Sequence, residues 1–241
     1  LTNPVCHTIN TFPTNDRLME NTGSFDNQGI LNVNDVLTLD VNAVLDNTGT
    51  INVFGTMVFA GSGNEVYNQN GNLISDGGLI RLVRGTLVND VLTTVNGGQI
   101  QIDPNTAFTL QDVSTDSSTT LEINQNTDVT ILGTLTNDGT INMNPGPNQV
   151  RMFFDPAAVW TGTGTLNMNS GGGSNALRLT GAGTLTNPVG HTINTFATND
   201  RLMENTGSFD NQGILNVQSG STLTIDVNTV LDNTGTMNAF G

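Results

Sequence analysis

Two histidines, one cysteine and a recurring set of aspartates are the side chains of this 241-residue chain best suited to chemistry. His7 and His191 occupy equivalent places in an internal repeat. A catalytic histidine needs a nucleophile and an orienting carboxylate in a readable arrangement. No Ser/His/Asp or Cys/His spacing surrounds either, so both are expected as turn or surface histidines. Cys6 gives way to Gly190 in the other copy, and is expected as a free thiol packed as a small apolar residue. A single cysteine builds no disulfide framework within this segment, and no His/Cys cluster supports zinc. Gly171-Gly172-Gly173 lacks the following Lys-Ser or Lys-Thr of a phosphate cradle, which makes it a loop.

The acids form two sets. Asp26, Asp46 and Asp138, with Asp210 and Asp232, recur beside Asn-x-Gly triplets. Stacked in register, they would be relieved by Ca²⁺, and they are the candidate ligands for it. The Gly-Gly-x-Gly-x-Asp nonapeptide of calcium-binding rolls is absent, and no other cofactor is expected. Asp16-Arg17 with Glu20, matched by Asp200-Arg201 with Glu204, is the densest charged cluster. It is read as a local ion pair in preference to a contact with a neighbouring subunit, and contributes little if exposed.

What positions these residues is a tandem array. Residues 185–217 repeat residues 1–33 with two changes, Cys6 to Gly190 and Pro13 to Ala197, and residues 223–241 repeat 37–55 with four. The chain divides into one large repeat, 1–184, and the start of the next, 185–241, equivalent to 1–55. Repetition of one surface along a chain suits a stalk, sheath or filament better than an enzyme.

A shorter unit lies inside the large one: apolar, x, Asn, x, Gly, x, apolar. It runs from Met19 through Asn21 and Gly23 to Phe25, and from Phe25 through Asn27 and Gly29 to Leu31. It recurs with Asn47 and Gly49, and with Asn137 and Gly139. The second copy carries it at Asn205 and Gly207, Asn211 and Gly213, and Asn233 and Gly235. After each glycine the chain alternates, as in Gly49-Thr50-Ile51-Asn52-Val53, so one face of a short strand is apolar and the other carries Thr and Asn. Asn and Gly tolerate positive φ, which predicts Asn-x-Gly as a tight corner. Such short strands bury their apolar faces only by stacking turn on turn.

The expected fold is therefore all-β, a right-handed parallel β-solenoid. Further strands are read at 37–41, 80–82, 100–102, 121–123 and 177–179. The step from Met19 to Phe25 to Leu31 is too short for the hairpins of an antiparallel sandwich. Residues 14–20 could make at most one capped helical turn. Val150, Met152, Phe153, Phe154 and Trp160 read as a locally wider core. At about 20 to 25 residues per turn, one large repeat makes eight or nine turns and advances the axis by roughly 40 Å.

Composition agrees. The chain holds 35 Asn, 37 Thr and 28 Gly and no lysine, and Asn and Thr stack well in identical rows. A net charge of −15 with six arginines provides no basic stripe for nucleic acid or for an anionic membrane surface. No apolar run reaches the roughly 20 residues of a membrane span, and no signal peptide is present; export signals and anchors are expected outside this segment.

The recurring Leu-x-Asn-x-Gly-x-Ile-x-Asn unit resembles those of repeat-rich bacterial surface proteins: filamentous-haemagglutinin-like adhesins, autotransporter passengers and other giant secreted β-solenoids. The resemblance implies secretion, a long rod and a role in adhesion, matrix or sheath. It transfers no binding residue. The expected function is structural, the shaft of an extracellular or cell-surface fibre that continues or self-associates end to end. A glycan- or surface-binding adhesin segment is the alternative. Polysaccharide-processing β-helix enzymes come third: this sequence has no lysine, no Gly-His-Gly and no paired Asp-Asp, and its charge would repel polyuronates. No enzymatic activity is expected.

Overall fold

A computed structural model describes residues 1–12, 16–20, 22–61, 63 and 65–241. It is a parallel β-solenoid of about 11 turns, and among the described residues it contains strands and turns but no helix. Every strand pairing is parallel. Three faces, here A, B and C, follow one another around each turn. The second turn is representative: Phe25–Asn27 on face A, Ile30–Val33 on face B, Val36–Leu39 on face C. Each pairs with its counterpart in the third turn, Val44–Asn47, Thr50–Val53 and Thr56–Ala60.

Alternation of two does the folding. In Thr50–Val53 the Ile51 and Val53 side chains point inward and are fully buried, while Thr50 and Asn52 point out. The inward residues stack into one continuous core along the rod, since a strand one face wide is buried only by the turns above and below it. Of the five further strands read from the sequence, four lie within Leu79–Val88, Gln99–Ile102, Thr120–Ile123 and Ser174–Leu179, while the one read at 37–41 is formed as Val36–Leu39 and ends before Asp40. Three strands are long enough to bend across two faces: Leu79–Val88 from C to A, and Ala107–Thr115 and Thr127–Asn137 from A to B. The bends are made by positive φ at Gly85, Asp112 and Gly133. Val150, Met152, Phe154 and Trp160 are buried together, with Phe154 and Trp160 stacked at 5.3 Å. Phe153 points the other way, between the guanidinium groups of Arg151 and Arg178.

The corner chemistry differs from the expectation. Asn27, Asn47, Asn137, Asn211 and Asn233 do not adopt positive φ, nor do Gly29, Gly49, Gly139, Gly213 and Gly235. These glycines are required by the turn beneath. A Cβ on Gly49 would overlap the Gly29 carbonyl oxygen and stand 2.7 Å from the Gln28 carbonyl carbon. The asparagines turn inward instead. Asn3 donates to Asn27 at 2.7 Å, Asn27 to Asn47 at 2.7 Å, and Asn47 to Gln69 at 2.9 Å. An amide offers both a donor and an acceptor, so a column of amides one turn apart satisfies itself inside the core. Asn187, Asn211 and Asn233 rebuild this column in the second copy.

The first unit of the pattern is a different corner. Gly23 and Gly207 do take positive φ, Asn205 is exposed, and Asn21 lies outside the described residues. The helical turn considered for residues 14–20 is not formed: Asp16–Leu18 is a strand, and Thr14 and Asn15 lie outside the described residues.

Asn27→Ala is expected to cost about 2 kcal/mol, because it strips the Asn47 carbonyl oxygen of its buried donor. Asn52→Ala, which removes an outward amide, is expected to stay within about 0.5 kcal/mol. Urea denaturation of both variants checks the contrast. Cys6 occupies a positive-φ position that is Gly190 in the other copy, and Cys6→Gly should therefore stabilise by about 1 kcal/mol in the same assay.

Candidate functional site

Among the described residues, two features stand out: the outward columns of amides and the place where one repeat meets the next. On face C, Asn142, Asn167, Asn194, Asn216 and Asn238 stand in consecutive turns. Each donates its amide to the one before, at 2.9 to 3.0 Å. The column begins on a carboxylate: Glu122 accepts from Asn142 at 2.8 Å and from Asn144 at 2.5 Å. Asn32 and Asn52 donate in the same sense to Asn10 and Asn32 on face B. The outward amides thus point toward lower residue numbers, and those in the core point toward higher ones. Beside the outward column on face C, the Phe196 and Phe240 rings are about half-exposed on either side of Gln218.

The corner acids stack in the register expected of them. Asp26 aligns with Asp46 and Asp210 with Asp232 on adjacent turns. Amides already engage some of them: Gln28 donates to Asp26, Asn68 to Asp46 and Gln212 to Asp210, at 2.7 to 3.0 Å. Asp138 accepts the Thr163 amide at 2.9 Å. Among the described residues no group of three or more His, Cys, Asp or Glu side chains converges. Ca²⁺ takes six to eight oxygen ligands, and each pair supplies two carboxylates.

The charged cluster divides. Arg201 and Glu204 pair at 3.1 Å, and Arg178, one turn below, reaches the other oxygen of Glu204 at 3.1 Å. Arg17 and Glu20 stand 3.5 Å apart on the surface. Asp200 leaves the cluster and turns inward. It accepts the Asn175 side-chain amide at 2.8 Å and the Asn175 backbone amide at 3.2 Å, and burial pushes its carboxyl up to about 6 against these hydrogen bonds.

His191 closes the turn that starts at Pro188, its amide donating to the Pro188 carbonyl at 3.1 Å, but it is no surface histidine, for it is fully buried. Its Nδ1 meets the Asn187 side-chain oxygen at 2.9 Å and its Nε2 meets the Asn137 amide at 3.0 Å. Gly162, aligned after the Thr136–Thr161 pair, has no side chain to continue the amide column, and the imidazole fills that place. Trp160 packs edge-on against it at 4.5 Å. Burial pushes the imidazole down to about 4, with Asp138 pulling weakly the other way. His7 makes the same bond to Asn3 at 2.8 Å.

No family model matches the chain, and no curated protein or solved structure matches it either.

Proposed function

We propose that this chain is part of the shaft of an extracellular fibre, sheath or stalk built from tandem β-solenoid repeats. One observation carries the reading. At the meeting of the two copies, Thr165–Met168 pairs with Thr192–Thr195 residue for residue, and the inward Leu166 stacks on Ile193. The core thus runs from one repeat into the next without a break or a linker, as a rod requires. The Asn/Thr/Gly-rich, lysine-free, acidic composition supports an external location.

An antibody raised against the chain is expected to label filaments on intact, unpermeabilised cells. Labelling that needs permeabilisation would sink the extracellular reading. A second reading, glycan binding, rests on the outward amide column of face C beside the exposed Phe196 and Phe240 rings. Amide pairs and aromatic rings in a row suit an extended polysaccharide. A glycan array decides it: specific binding lost in Phe196→Ala makes the segment an adhesin, and a blank array leaves the shaft.

A further inference from the structure

The two copies share a sequence but not an orientation about the axis. Thr2–Asn3 lies on face A of the first turn, paired to Asp26 and Asn27. Its equivalents Thr186 and Asn187 lie on face B of the ninth turn, paired in the same register to Asp210 and Asn211. Thr8–Asn10 is on face B, and its equivalent Thr192–Thr195 is on face C. Asp16–Leu18 is on face C, and its equivalent Asp200–Leu202 is on face A. Each repeat therefore spans eight turns and one further face.

The surface beneath the second copy is equally specific. Thr165–Met168 lies under Thr192–Thr195, and Ala176 and Leu177 lie under Arg201 and Leu202. On face B, where no backbone pairing joins Val159–Thr161 to Thr184–Asn187 among the described residues, Trp160 and His191 fill the gap. Asn137, Asn175 and Arg178 reach up to His191, Asp200 and Glu204. The three residues reached are the repeat-equivalents of His7, Asp16 and Glu20, identical in both copies.

Resting on the shaft reading, we propose that the first turn of every repeat is an interaction surface whose partner is the 159–179 segment of a preceding copy together with its Asn137. Each such junction rotates the pattern by one face. A surface feature then steps around the rod by about 120° for each roughly 40 Å of rise, and returns to its own face after three repeats. The outward amide column follows this rule within the chain: its Asn10, Asn32 and Asn52 portion is on face B, and the equivalent Asn194, Asn216 and Asn238 portion is on face C. A rod built this way presents its strip on three sides in succession, so neighbours can meet it from every direction.

The test is to place a second copy of residues 127–184 ahead of Leu1 in this chain and follow both imidazole rings by their NMR chemical shifts. His7 should then gain its Asn137 and Trp160 equivalents, and its ring signals, displaced by the added indole, should come to coincide with those of His191. If the added block folds, seen as a matching gain in β circular dichroism, and the His7 ring signals stay where they were, the proposal fails, although rods would persist in micrographs and the shaft reading would stand. If the added block does not fold, the native array decides. A helical twist of one third of a turn per large repeat supports the proposal, and zero twist overturns it.

Discussion

Gly49→Ala is expected to destabilise the protein by about 3 kcal/mol, more than alanine at a glycine of positive φ. The backbone at Gly49 suits any residue. The obstacle is the neighbouring turn: the added Cβ would overlap the Gly29 carbonyl oxygen and come within 2.9 Å of its amide nitrogen. Both are backbone atoms held in the parallel ladder, so relief requires the two turns to part, and the amide column through Asn27 and Asn47 would part with them. Gly97→Ala is the control. Its φ of 79° penalises a side chain, but no heavy atom lies within 4 Å, and its cost should be about 1 kcal/mol. Urea denaturation of both variants reads the order, and a larger loss at Gly97 would contradict the inter-turn account.

The second large effect is a fall in stability between pH 6.5 and pH 8, removed by Asp90→Asn. Asp90 sits at the corner before Val91–Val95, is 2% exposed, and its carboxyl oxygens find no well-formed hydrogen bond, the Val91 amide being their one near donor. Burial pushes this carboxyl up from 3.8 to about 8, while the Val91 amide opposes it. A raised carboxyl binds its proton more tightly in the folded state, so its contribution is present at low pH and is lost as pH rises to about 8. Asp200 acts in the same direction but is finished by about pH 6. His191 acts oppositely: lowered from 6.5 to about 4, it costs stability as pH falls through that interval. Asp200 and His191 oppose one another below pH 6.5, and of these three groups Asp90 is the one that titrates above it. The fall from 6.5 to 8 should be about 2 kcal/mol. Melting curves across that window should slope down for the parent chain and run flat for Asp90→Asn; a flat parent curve would refute the assignment.

The fold was legible because alternation of two and the six-residue step at Met19, Phe25 and Leu31 are local signals. What the glycines do was not. Gly49 reads as a turn residue from its neighbours in the chain, yet its reason lies twenty residues earlier in the Gly29 carbonyl, a contact that exists only once turns are stacked. His191 shows the same limit. The sequence around His191 gives no sign of what buries it, which is Trp160 and Asn137 on the turns beneath. Asp200 reads as a partner of Arg201, but alternation along Asp200–Leu202 sends the two side chains to opposite sides, and Asn175 on the turn below receives the carboxylate. The rotation between copies also escaped the sequence. The repeat length was plain, but its phase shows only in the pairing of the strands.

The most direct test of a fibre shaft made of uninterrupted stacked repeats is cryo-electron microscopy of the native assembly, at a resolution that separates turns about 4.8 Å apart. The expected density is one continuous rod, with parallel strands and evenly spaced turns passing through every boundary between repeats. A rod broken at those boundaries by linkers or globular units, or one whose strands pair antiparallel, would contradict it.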